Sequence, residues 1–155
     1  MAHIERTTLI EAPIADVFEY ATIIPKLTEW WPSLMDVRKY TQERMATGVR
    51  YEWTYKMVGV KLDGTAEILE CAKNEHVRWE NGGAIPGMFD WRYAREAGMT
   101  RVTVNLEYTV PGSVLGKLAD KLFVERLNER EAENVLAHLK SICESAAKPV
   151  AAAKD

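Results

Sequence analysis

Residues 49–57 read VRYEWTYKM. Val49, Tyr51, Trp53, Tyr55 and Met57 take every odd position, and Arg50, Glu52, Thr54 and Lys56 every even one. Successive side chains on a β-strand point to opposite faces, so this alternation describes a strand with one covered face and one wet face. The covered face is made of wide, flat side chains.

The same pattern recurs outward in both directions. Phe89, Trp91 and Tyr93 alternate with Asp90 and Arg92; Val77 and Trp79 repeat the phase, as do Val102, Val104, Leu106, Tyr108 and Val110. Strands are predicted over 3–10, 34–42, 48–58, 60–72, 76–81, 88–96 and 101–110, about seven in all. Their separators are turn-like: Thr47-Gly48, Val58-Gly59, Lys73-Asn74, Asn81-Gly82-Gly83 and Ala97-Gly98. Consecutive strands joined by short turns make an antiparallel sheet. Pro13 opens a short helix with Ile14, Val17, Phe18 and Ala21 on one face, and Pro25 starts a second that Pro32 ends. Trp30-Trp31 at its close reads as a packed hinge. Pro111-Gly112-Ser113 ends the last strand, with Ser113 as cap of a long helix. Helices segregated from an antiparallel sheet give an α+β class.

That long helix carries the chemical question. Leu115, Leu118, Leu122, Ala132, Leu136, Leu139 and Cys143 recur at helical spacing, and on the same wheel Glu125 and Glu129 fall within roughly 20° of the stripe's centre. A buried unpaired carboxylate costs several kcal/mol, so the helix is expected to cover a roomy, partly polar space there. One turn apart, the two carboxylates would be neighbours and could serve as acid and base. The alternatives are a kink, a helix turned so that both reach solvent, or pairing with Arg50, Arg78 or Arg92. The aromatic strand faces likewise read either as the walls of a ligand cavity or as ordinary core packing.

Composition narrows the classes. A net charge of −3 argues against nucleic acid and against an anionic membrane surface. The start, MAHIERTTLIEA, has no apolar signal core, and no stretch approaches 18 apolar residues, so no membrane insertion is expected and the chain reads as cytoplasmic. Cys71 and Cys143 sit in apolar patterns and read as buried free thiols. His3, His76 and His138 lie on separate elements, so no metal site is expected; neither a nucleophilic triad nor a nucleotide loop is present, and no cofactor is called for. A single domain is expected over 1–145, with 146–155 as a flexible tail.

Several segments carry a family resemblance. Ile10-Glu11-Ala12-Pro13-Ile14-Ala15-Asp16-Val17-Phe18-Glu19-Tyr20 resembles the start of the polyketide cyclase/dehydrase and lipid-transport proteins, which share the helix-grip fold of START domains and the birch pollen allergen. Trp31-Pro32-Ser33 leading to Val37 is similar to that family's Trp-centred second helix; Gly48-Val49-Arg50-Tyr51 to its glycine turn; Leu136-Ala137-His138-Leu139-Lys140 to its C-terminal helix. The resemblance implies a seven-stranded sheet gripping one long helix over a hydrophobic pocket. It carries no catalytic motif onto this chain, and fold alone does not fix function. The expected function is binding or carrying a hydrophobic small molecule, lipid-like or polyketide-like, by a monomer or homodimer. Tyr51, Trp53, Tyr55, Trp79, Phe89, Trp91 and Leu122 are the expected ligand contacts. The alternative is a polyketide cyclase or aromatase in which Glu125 or Glu129 moves the protons. A regulatory or co-chaperone-like interaction module is a third reading.

Overall fold

The computed structural model describes residues 1–117 and 120–152, with side chains up to 147. Seven strands form one sheet: β1 (Ala2–Ile10), β2 (Leu34–Arg38), β3 (Arg50–Met57), β4 (Val60–Ala72), β5 (His76–Gly83), β6 (Gly87–Glu96) and β7 (Met99–Tyr108). Their order is β1-β7-β6-β5-β4-β3-β2, every pair antiparallel. Thus β1 joins the sheet beside the last strand; β2 ends at Arg38, short of the 42 expected, and reaches β3 by a connection over 39–49, and β3 to β7 follow one another through short turns. Two of those turns are two-residue loops with positive φ at both positions: Val58 (51°) with Gly59 (80°), and Ala97 (53°) with Gly98 (80°). That geometry is the type I′ turn, whose twist matches that of a hairpin.

Between β1 and β2 the chain forms α1 (Ile14–Ala21), a 3₁₀ turn (Ile24–Lys26) and α2 (Leu27–Trp30). Helix α1 buries Ile14, Val17, Phe18 and Ala21, the face read from the sequence. After β7 come α3 (Gly112–Lys117) and α4 (Lys121–Ala152). Helix α4 lies against β1 and is tied there by Lys140, whose Nζ donates to the Leu9 carbonyl at 2.7 Å. The sheet curls around α4, with α1 and α2 packed at one end: this is the helix-grip arrangement.

The long helix departs from the sequence reading in two ways. It is not continuous from 115. Asp120 Oδ1 accepts the backbone N–H groups of Leu122 (3.0 Å) and Phe123 (3.3 Å), so α4 has its own cap there and Ser113 belongs to the separate α3. Leu118, counted in the apolar stripe, lies outside the described residues. The backbone of α4 also continues past 145 to Ala152, while 153–155 lie outside the described residues. Among the described residues no helix is long and apolar enough to cross a membrane.

Candidate functional site

The concave face of the sheet and the inner face of α4 enclose a cavity. It holds about 820 Å³ of empty space, counted out to the solvent at its mouth. The six aromatics read from strand alternation all line it: Tyr51, Trp53 and Tyr55 on β3, Trp79 on β5, Phe89 and Trp91 on β6. Period-2 alternation puts them there, and the opposite phase carries Lys56 and Arg92 to solvent. Glu52 and Asp90 share that outer face but are half-covered by charged neighbours: Glu52 lies 3.5 Å from Arg38, and Asp90 Oδ1 lies 2.7 Å from His76 Nε2.

The rings are ordered. Trp31 and Phe89 stack with an 8° interplanar angle at 6.1 Å, and Trp79 and Trp91 at 20° and 6.2 Å. Trp30 stands edge-on to Trp91 at 5.4 Å. Trp53 donates its indole N–H to the Thr65 carbonyl at 3.0 Å and lies across Gly64, where a Cβ would collide with the ring. The two tryptophans expected to form a hinge thus divide: Trp30 is packed beneath the wall, whereas Trp31 is part of it.

Helix α4 presents a different face from the one expected. Val124, Ala132, Val135, Leu136, Leu139 and Cys143 are buried, and Asn128 and Glu131 reach the cavity. Leu122 is 55% exposed and does not line it. Glu125 and Glu129 do not line it either. They edge a separate polar groove beside His3 and Tyr108; Glu129 pairs with Arg6 at 3.2 Å and Glu125 lies 4.0 Å from Lys121. Their expected place at the centre of the apolar face is therefore corrected. The wheel of α4 alone does not explain this, since Glu125 and Glu129 stand seven residues before Ala132 and Leu136. At this end of α4 the Glu125–Glu129 side lies along β1, beside His3 and Arg6, and the side turned to the cavity is that of Val124, Asn128 and Glu131. Glu131 Oε2 accepts the Ser33 backbone N–H at 2.9 Å.

Glu131 and Asn128 were missed for that reason. Asn81 and Tyr108 were legible in the strand phase, two residues from Trp79 and from Leu106, but polar tips in an aromatic run do not announce themselves. Burial raises the pKa of the Tyr51 and Tyr55 hydroxyls, and the Glu131 charge adds to the shift at Tyr55. Burial also pushes Tyr108 up to about 12, offset in part by the Asn128 side chain and reinforced by Glu125 and Glu129. At neutral pH these phenols are therefore uncharged hydrogen-bonding groups. Among the described residues no cluster of three His, Cys, Asp or Glu side chains is arranged to hold a metal. Cys143 is buried as expected, while Cys71 is only half-buried.

Comparison with known proteins fits this geometry. The chain superposes on the crystal structure of TTHA0849 from Thermus thermophilus with a TM-score of 0.77 at 22% identity, covering 93% of this chain and 98% of that one. A START superfamily protein from Mycobacterium smegmatis gives 0.72 at 12% identity, covering 94% and 99%. The di-domain ARO/CYC protein StfQ of the steffimycin biosynthetic pathway gives 0.75 at 12% identity, covering 95% of this chain and 52% of that one. At these identities the likeness is one of fold. No curated protein matches by sequence. A family model described as polyketide cyclase / dehydrase and lipid transport matches residues 1–144, and the chain belongs to that family.

Proposed function

We propose that the chain binds a small to medium hydrophobic ligand in the cavity between the sheet and α4. The observation that carries this reading is the wall itself. Six aromatic side chains from three strands, with Trp31 from the end of α2, face a space that they do not fill. Ordinary core packing leaves few voids larger than a water molecule, so a retained aromatic cavity is the mark of a ligand site. Tyr51, Trp53, Tyr55, Trp79, Phe89 and Trp91 are the proposed contacts; Leu122 is not among them.

Native mass spectrometry of freshly purified protein, followed by titration with an environment-sensitive apolar dye, tests the reading. The expected result is a retained or titratable ligand at micromolar affinity, about −8 kcal/mol, with a change in tryptophan emission. Apolar probes of several sizes that alter neither emission nor melting temperature would refute it.

A second reading is favoured by one observation, the Glu131 carboxylate at the cavity wall near the Tyr55 hydroxyl. In an enzyme that closes a poly-β-keto chain, Glu131 would remove the proton α to one carbonyl so that the resulting carbon nucleophile attacks another. Glu125 and Glu129 stand outside the cavity and take no part. Glu131→Gln should then abolish turnover of such a chain while ligand uptake survives.

A further inference from the structure

The walls of the cavity are apolar, yet one row of the sheet is not. Ala66 pairs with Tyr51 on one side and Asn81 on the other, and Gly87 pairs with Asn81 and Tyr108. One line across five strands therefore reads Tyr51, Ala66, Asn81, Gly87, Tyr108. Polar-tipped side chains on β3, β5 and β7 are separated by two of the smallest residues, which leaves room between the tips. The next row inward, Ile68, Trp79, Phe89, Leu106 and Ile4, is wholly apolar.

Tyr51, Asn81 and Tyr108 are at least nine-tenths buried and line the cavity. Among the described residues the side chains of Tyr51 and Asn81 make no hydrogen bond, and the Tyr108 hydroxyl, withdrawn from solvent, has only the Asn128 side chain beside it. Asn128 meets this row from α4, near enough to the Tyr108 hydroxyl to lower its pKa, but its amide donates only to the Met57 sulfur at 3.7 Å. A buried polar group without a partner is costly, so a line of them in an apolar wall calls for partners from outside the protein. Hydroxyl and amide tips are neutral and can both donate and accept, which suits a hydroxyl or carbonyl.

Charge adds a second constraint. No Lys, Arg or His lines the cavity, and Glu131 is its single charged residue among those described. Among the described residues Glu131 forms no ion pair. A carboxylate ligand would bring a second negative charge beside it against apolar walls, which screen the repulsion less than water does.

We propose that the cavity selects an uncharged, oxygen-bearing amphiphile, its flat apolar body on the Trp79–Phe89 row and its hydroxyl or carbonyl on the Tyr51–Asn81–Tyr108 row, with Glu131 excluding carboxylates. This rests on the ligand-binding reading above and names the class of ligand. Three probes of one size test it by calorimetry: 1-methylnaphthalene, 1-naphthol and 1-naphthoate. Tyr108→Phe combined with Asn81→Leu should lower the naphthol-to-methylnaphthalene affinity ratio about tenfold, while methylnaphthalene binding shows that the cavity is intact. Glu131→Gln should raise naphthoate affinity about tenfold and leave naphthol within threefold. If all three bind and neither ratio moves, or wild-type protein takes naphthoate as tightly as naphthol, this inference is overturned and the ligand-binding reading stands. If none of the three binds, both fall.

Discussion

At the scale of the residue, Gly64 decides the position of a cavity wall. A Cβ there would strike the six-membered ring of Trp53 and the Gly82 carbonyl oxygen. Gly64→Ala should therefore destabilise the fold by about 1–3 kcal/mol, the usual scale for forced overpacking, and weaken dye uptake by displacing the indole. Phenylalanine lacks the outer indole atoms that collide. In a Trp53→Phe background the cost of Gly64→Ala should shrink by about 1 kcal/mol, a coupling measurable by a double-mutant cycle of denaturant melts. Additive effects would show that the ring and the glycine do not meet. Gly64 and Trp53 stand on the two arms of one hairpin, and the two-residue turn at Val58-Gly59 sets the register that brings them face to face. What the sequence did not show is that the ring of Trp53 lies across Gly64. The direction of Trp53, in contrast, was legible from its phase among polar neighbours.

Two elements test the local geometry with opposite signs. The β6–β7 turn holds Ala97 at φ 53° although its side chain is exposed. Left-handed backbone costs about 1–2 kcal/mol for an ordinary residue and less for asparagine. Ala97→Asn creates the favoured Asn-Gly pair of a type I′ turn and should stabilise by about 1 kcal/mol, raising Tm by roughly 2–4 °C. An unchanged or lower Tm would contradict the turn type. At α4 the cap is the point at issue. With Asp120 holding two orphan N–H groups, Asp120→Ala should cost about 1 kcal/mol. In an uninterrupted helix through the same position, the same change would stabilise by about half a kcal/mol, since alanine is the better helix former. The sign of the shift in a thermal melt therefore reports where the helix begins.

The whole molecule carries a signature in alkali. Burial pushes the Cys143 thiol from 9.0 up to about 12, with the Asp16 and Glu144 charges adding, and it raises Tyr108 from 10.0 to about 12; Tyr51 and Tyr93 are raised further by burial. An acid whose folded value is raised holds its proton longer in the native state than in the unfolded chain. Its stabilising contribution is complete below the unfolded value and is lost as pH rises toward the folded one. Stability should therefore be insensitive to these groups up to about pH 9 and fall between about pH 9 and 12. Each group adds a slope of about 1.4 kcal/mol per pH unit where only the unfolded form has ionised. Burial raises the Cys71 thiol as well, so in a Cys71→Ala background Cys143→Ala should remove the part of that loss that starts near pH 9, visible as a later onset in Tm against pH; an identical onset in that background would place the Cys143 thiol in water. The same scale separates what was readable from what was not. Strand count, antiparallel pairing of consecutive strands, the inward face of the aromatic strands and the helices around Ile14 and Leu136 followed from the amino-acid sequence by itself. Each rests on a period of 2 or 3.6 residues, and such periods are local properties of the backbone. Only the tertiary structure decided that Tyr51, Asn81 and Tyr108 form one polar row. Only there is Glu131 the carboxylate inside. Those facts depend on strand register, sheet curvature and the way α4 lies along β1, which no local period of the chain encodes.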